Sequence, residues 1–321
     1  MKKGLTFLML AILIVTSFAF VGCTPKEAEK KVIGVSLFYR RDEYYKDQET
    51  GIRDEAEKLG YELLVVDADT DPLKQTAQIE DFMTKGVDLV LFSPCDVSGL
   101  VPVTKTLNEK KIPVVLINSP LTGVKVDSLI QVDYGGLGQT AAVNALKYVD
   151  AKLGGTAKIA VLEYPQSAIV CCAMVAAFEA EVAKHPGVEI VAKQDGKASR
   201  EGSMQAMENI LQAQPQIDLV FGINADTCLG ALAAIQAANR KDAKVIALGW
   251  SSEIFKMVED GDFDFVVCFN PYKAGQEAVK AADVVLKGQT PAERIIVPSE
   301  FYDRESLKNF DWRAIMAKRG D

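Results

Sequence analysis

The sequence predicts an α/β protein built from two doubly wound, Rossmann-like lobes, and three observations carry that prediction. Short runs of Val, Ile and Leu alternate with longer segments whose apolar residues recur at helical spacing. The short runs are apolar along their whole length, as expected of strands in a parallel sheet with helices over both faces. There are too many of them for one comfortable sheet, and the helix after Tyr134 opens a second series with the rhythm of the first.

A leader precedes the first strand. Lys2 and Lys3 stand before a charge-free, largely apolar run over residues 5–21, the layout of a secretory signal. The run ends in Phe20-Val21-Gly22-Cys23, which resembles a bacterial lipobox. Residues 1–22 then read as a lipoprotein signal peptide, with Cys23 as the lipidated first residue of the mature chain. Residues 23–31, rich in Lys and Glu, read as a polar tether.

Beyond the tether, Val32–Leu37 is the first strand, and Tyr45, Ile52, Ala56 and Leu59 mark one face of a helix stopped by Gly60. Residues 61–66 form the next strand. Residues 73–85 form a helix with Ile79, Phe82 and Met83 inward and Gly86 as its stop. Strands at 88–92 and 113–117 continue the first series, and those at 157–162, 188–192, 219–223, 245–248 and Phe265–Phe269 make the second. The long intervening helices are clearest at 137–153, 225–238 and 274–286.

Composition removes several functions. The chain holds 36 basic and 44 acidic residues, a net charge of −8, and loss of Lys2 and Lys3 with the leader makes it more acidic still. That sign excludes nucleic-acid binding, which needs a basic footprint. Cys95, Cys171, Cys172, Cys228 and Cys268 follow Cys23, an odd number that cannot all pair internally. Cys95, Cys172 and Cys268 fall near strand ends, which opens a soft-metal reading, but no CxxC spacing supports it and small apolar fillers are the plainer one. The sole histidine lies in Lys184-His185-Pro186-Gly187, a surface turn. No Ser-His pair, metal-spaced histidines, phosphate loop or GxGxxG is visible, so no catalysis, cofactor or metal is expected.

In doubly wound sheets ligands bind beyond the carboxyl ends of the strands, and there the sequence becomes specific. Val32-Ile33-Gly34-Val35-Ser36 is followed by Tyr44-Tyr45 and then by Glu57-Lys58-Leu59-Gly60-Tyr61-Glu62-Leu63. Gly86-Val87-Asp88-Leu89-Val90-Leu91-Phe92-Ser93-Pro94, Ile112-Pro113-Val114-Val115 and Val132-Asp133 come next. Phe221-Gly222-Ile223-Asn224-Ala225-Asp226, Leu229-Gly230-Ala231-Leu232 and Val284-Val285-Leu286-Lys287-Gly288 complete the series. In this order the chain resembles the ribose-binding-type periplasmic receptors, from about residue 32 to about residue 290. The resemblance implies a type I periplasmic-binding fold whose chain crosses between lobes three times, near Asp133, Phe269 and Pro298, and closes on its ligand about that hinge. It implies an N-terminal lobe of residues 32–133 plus 270–297 and a C-terminal lobe of 134–269 plus 298–321.

Receptors of this type stack aromatic rings on the sugar and bond its hydroxyls with Asp, Asn and Arg. Tyr44 and Tyr45 fall where the family's stacking aromatics stand, and Asn224 matches its asparagine in the second lobe. Elsewhere the pattern breaks: Asn118-Ser119 replaces Asp-Arg, Cys172 an arginine, Gly249 with Trp250 behind it an aspartate, and Phe269-Asn270 a glutamine. Losing acids and arginines together implies a less ionic, more aromatic pocket, suited to a ligand with fewer hydroxyls than a pyranose or with an apolar part. The expected contacts are Phe38, Asp42, Tyr44, Tyr45, Ser93 and Asn118 from one lobe, Glu163, Cys172, Asn224 and Trp250 from the other, and Asn270 at a crossover. Asp133 is assigned to the hinge, Arg40 and Arg41 to a solvated rim, and Asp226 as readily to a helix start as to the pocket.

The expected protein is therefore an exported, monomeric receptor touching the membrane only through its lipid. It would hand a small polar solute (a sugar, polyol or modified sugar) to an ABC transporter permease. The same binding step coupled to a membrane sensor kinase or chemoreceptor is the first alternative, and the soft-metal protein the second. A repressor sharing this core is excluded, because an export signal occupies the place of a helix-turn-helix.

Overall fold

The computed structural model describes residues 30–165 and 171–319. The lipobox with Cys23 and nearly all of the tether lie outside the described residues. Val32–Leu37 (β1) leads into Glu43–Leu59 (α1), which Asp42 caps by accepting from the Tyr45 amide. Gly60 ends that helix at φ 82°, a left-handed conformation that costs glycine nothing. Glu62–Asp67 (β2), Pro72–Lys85 (α2), Leu89–Phe92 (β3), Val101–Glu109 (α3), Val114–Ile117 (β4) and Ser128–Val132 (β5) follow.

Tyr134–Lys152 (α4) starts the second series. Ala157–Glu163 (β6), Cys171–Val182 (α5), Val188–Asp195 (β7), Arg200–Ala213 (α6), Leu219–Gly222 (β8), Ala225–Ala237 (α7), Lys244–Leu248 (β9), Ser252–Asp260 (α8) and Phe265–Phe269 (β10) continue it. The chain ends through Pro271–Leu286 (α9), Arg294–Val297 (β11), Ser299–Asp303 (β12), Arg304–Leu307 (α10) and Trp312–Met316 (α11).

These strands make two six-stranded sheets, ordered β11-β5-β4-β3-β1-β2 and β12-β10-β9-β8-β6-β7. Every pairing in the first is parallel; in the second only β12 runs antiparallel, against β10. The chain leaves the first sheet after β5, returns after β10, where α9 packs on α1 and on β3 to β5, and crosses again at Pro298 between β11 and β12. The predicted α/β class with two doubly wound, Rossmann-like lobes is therefore the observed one.

Whole-strand apolarity explains why the core is continuous on both faces of the sheets. Ile33, Val35, Leu89, Leu91, Val115 and Ile117 are almost wholly buried in the first, and Ile159, Val161, Val220 and Phe221 in the second. Phe178 and Phe221 stack with centroids 4.0 Å apart. β5, β11 and β12 have no counterpart among the expected strands. Ser128 and Gln131 interrupt the apolar run of β5, while β11 and β12 are sheet edges carrying Arg294, Glu300 and Asp303, so none shows the signature of a fully covered strand.

Candidate ligand-binding site

Parallel strands bring their carboxyl ends to one side of each sheet, and the loops that follow meet around two adjoining cavities of about 390 Å³ each. Five residues wall both: Asp42 and Tyr44 from the first lobe, and Asn224, Gly249 and Trp250 from the second. The hinge-side cavity is aromatic and apolar. Tyr39 lines it from the loop after β1 and Tyr45 from the start of α1, Tyr134 and Phe269 from the crossovers, and Cys171 and Met174 from α5. The outer cavity carries the charges, with Arg41, Glu43, Arg200 and Asp226 on its wall. A further groove of about 350 Å³, between Arg240, Lys244 and Asp262, lies at the amino ends of β9 and β10, away from where such sheets bind ligands.

The tyrosines form one packed group. Tyr45 stacks on Phe38 at 5.4 Å with 20° between the planes, meets Tyr39 at 4.6 Å and takes the Tyr44 ring edge-on at 5.2 Å. Burial is the main cause that raises the phenols of Tyr39, Tyr44 and Tyr45 well above their ordinary range, and it pushes Tyr134 up to about 12. All four stay protonated at neutral pH, so each offers a ring face and a hydroxyl that donates and accepts.

Behind Tyr44 lies a buried amide relay. The Tyr44 hydroxyl is 3.5 Å from Asn118 Oδ1, which also accepts from Gln48 Nε2 at 3.3 Å, and Asn118 Nδ2 donates to Ser93 Oγ at 3.1 Å. Asn118 adopts φ 72°, a region asparagine tolerates better than most residues. Asn118, Ser93 and Phe38 thus support the wall formed by Tyr44 and Tyr45 and are not among the residues lining either cavity.

On the opposite wall Asn224 caps α7, its Oδ1 accepting from the Thr227 amide at 2.8 Å and its Nδ2 donating to Ala198 O at 3.2 Å. Trp250 is 6% exposed and stands edge-on to Phe255 at 5.1 Å. Its Nε1 donates to Asp47 Oδ2 at 2.6 Å, a bond that joins the loop after β9 to α1. A second bridge joins the start of α8 to α1: the amide and hydroxyl of Ser252 each donate to Glu43 at 2.6 Å. Burial pulls the Glu43 carboxyl up, but these bonds and Arg319 outweigh it and hold the group below its ordinary value.

Of the expected contacts, Asp42, Tyr44, Tyr45, Asn224 and Trp250 come together. Glu163 pairs instead with Lys193 at 3.3 Å, and Asn270 caps α9 while donating to Glu300 at 3.0 Å. Cys172 is exposed, and the helix places its neighbour Cys171 on the cavity wall. Asp133 caps α4 at the first crossover by accepting from the Gly136 amide. The expected rim pair divides: Arg41 stays solvated beside Asp69, whereas Arg40 grips Glu49 through Nε at 2.6 Å and Nη2 at 2.8 Å, a bidentate fit that its planar fork favours.

The cysteines do not gather. Cys95 is half-buried with its thiol pushed up to about 11 by burial, while Cys228 and Cys268 are enclosed in the second lobe's core. Among the described residues no group of three or more His, Cys, Asp and Glu is placed to hold a metal ion. Tyr39, Tyr134 and Arg200 line the cavities without having been expected there. Tyr134 carries one legible signal, its place directly after the crossover at Asp133, whereas Arg200 reaches the cleft from a helix start that no motif marks.

The chain matches the family model described as the periplasmic binding protein domain over residues 33–290. It is 30% identical over 309 residues to the ribose import binding protein of Bacillus subtilis (strain 168), covering 93% of this chain and 98% of that protein. It is 24% identical over 269 residues to the xylitol-binding protein of Mycolicibacterium smegmatis, covering 84% of this chain and 76% of that one. A solved structure from Mycobacterium smegmatis in complex with β-D-fucofuranose is 28% identical, with a TM-score of 0.71 over 90% of this chain and 97% of that one.

Proposed function

The chain belongs to the periplasmic binding protein domain family, and we propose that it is the extracytoplasmic receptor of an ABC importer, capturing a small, polar, sugar-like solute between its lobes. Family members are binding proteins and not enzymes, and they work outside the cytoplasm. One observation carries the reading: the cavities sit at the carboxyl edges of both sheets and are walled from each, by Tyr44 and Tyr45 on one side and Asn224 and Trp250 on the other. A solute held there touches both sets only when the lobes are together, so binding shifts the hinge equilibrium toward the closed form that a permease reads.

The chemistry of the walls narrows the solute. Ring faces dominate the hinge-side cavity, Asp42 is the one charged residue among the described residues lining it, and protonated phenols supply the hydroxyl partners. A ring compound with one apolar face and a modest number of hydroxyls suits this better than a fully hydroxylated pyranose. We take the lobes as residues 32–133 plus 270–297 and 134–269 plus 298–321, with Asp133 at the first crossover, and the receptor as a monomer.

Thermal-shift screening of residues 24–321 against pentoses, hexoses, polyols, deoxy-sugars and nucleosides tests the reading. One class should stabilise the protein through mass action by roughly 3 kcal/mol at a hundredfold excess over Kd, and so raise the melting temperature. A panel that leaves melting unchanged throughout sinks the proposal. Lipid attachment at Cys23 has its own readout. Full-length protein made in a bacterial host should partition into detergent, and Cys23→Ala should release it to the aqueous phase; equal partitioning of both would remove the anchor.

A further inference from the structure

Outside the three crossovers, a second connection joins the lobes, and we propose that it is a latch: the segment ending at Arg319 holds α1 against the second lobe and biases the receptor toward closure even without ligand. Asp47, on α1, has no exposed surface. It accepts from Trp250 Nε1 at 2.6 Å and from Arg319, whose Nε and Nη2 reach its two oxygens at 2.7 and 2.6 Å. Arg319 also stands 3.2 Å from Glu43, and the preceding Lys318 pairs with Asp54.

Glu43, Asp47 and Asp54 fall at i, i+4 and i+11 of one helix, a single stripe, so all three acids face the same way. The basic residues that meet them are anchored on the other lobe. Trp312 of α11 packs on Phe255 of α8 with centroids 5.7 Å apart, and Arg313 pairs with Glu259 of the same helix.

A carboxylate without solvent needs its partners, because an unpaired buried charge is far costlier than a paired one. Parting the lobes strips Trp250 from Asp47 and Ser252 from Glu43, and it either drags Arg319 off α8's side of the molecule or wets the pair. Asp47 and Arg319 are thus positioning residues: neither lines a cavity, yet both hold Trp250 and α1 where the ligand needs them.

The inference rests on the two-lobed receptor reading, but its test needs no ligand, so a failed sugar panel and a failed latch are separate results. The chain holds two tryptophans, so Trp312→Phe leaves Trp250 as the only one, and because Trp312 also packs on Phe255 the radius of gyration is measured in the otherwise wild-type chain as well. In that background acrylamide quenching reports how open the cleft is, and small-angle scattering independently reports the radius of gyration. Asp47→Asn and Arg319→Gln should each raise the quenching constant by at least roughly twofold and enlarge the radius, as a shift toward an open population requires. The double variant should fall short of the sum of the single effects, because both lose the Asp47–Arg319 pair while Arg319→Gln also loses the contact with Glu43. Quenching and radius equal to the background would overturn the latch. So would higher quenching, or a lower melting temperature, at an unchanged radius, since either would mean local packing and no lobe movement.

Discussion

Trp250→Ala should weaken binding of whichever solute the screen identifies by about a hundredfold, close to 3 kcal/mol, the size expected when a central aromatic anchor is truncated. Three losses coincide at this residue. Its ring walls both cavities, so ligand contact area disappears from each. Its edge-on packing against Phe255 and Phe310 is replaced by a void beside the cleft. Its Nε1 no longer serves Asp47, which has no solvent to turn to. Trp250→Phe keeps an aromatic face while removing the donor and part of the ring area, so a smaller loss, nearer tenfold, is expected. Titration calorimetry on the two variants, with ligand-free melting as the folding control, gives the answer. A Trp250→Ala protein that binds within about threefold of the wild type would take this residue out of the wall and with it the second lobe's side of the site.

Much of the architecture was legible because a parallel sheet covered on both faces leaves a plain mark on sequence. Phe265–Phe269 is a continuous apolar run, Val32–Leu37 is interrupted only by the buried Ser36, and Gly60 and Gly86 stop their helices at the left-handed positions expected of them. Edge strands leave no such mark: β12 pairs along one side only and tolerates Glu300 and Asp303, so its pattern is that of a loop. The lining of the cavities was legible where a residue comes just after a strand, as Asn224 and Trp250 do, while Tyr44, in the first turn of α1, was reached only through the family resemblance. It was not legible where a helix rotation decides, since Cys171 and Cys172 differ by 100° around α5 and only one meets the cavity. Nor does local sequence announce Arg319, whose partner Asp47 is 272 residues away. Pairings of that separation are set by the finished fold, and a carboxylate in the second turn of a helix reads beforehand as an ordinary solvated acid.

Gly275→Leu should cost the fold about 3 kcal/mol or more, at or beyond the upper end of ordinary overpacking, and lower the melting temperature by roughly 5 °C or more. The reason lies in how closely α1 and α9 approach. A Cβ at Gly275 would stand 2.2 Å from the carbonyl oxygen of Gln48, and one at Gly51 would stand 2.0 Å from that of Tyr272. Both obstacles are backbone, so no rotamer change relieves them and the helices must separate. The sign of the alanine substitution is the sharper test. At an unhindered helical glycine, alanine stabilises by about 0.4–1 kcal/mol through the unfolded chain. Gly135 meets that condition, because an added Cβ there approaches only Asp133 Oδ1, at 3.5 Å. Gly135→Ala should therefore melt at or above the wild-type temperature, while Gly275→Ala and Gly51→Ala melt below it. The displaced helix is the one that carries Tyr44, Tyr45 and Asp47. Its retreat should therefore weaken solute binding together with stability, whereas a loss of stability with full affinity would mean that the site does not depend on where α1 sits.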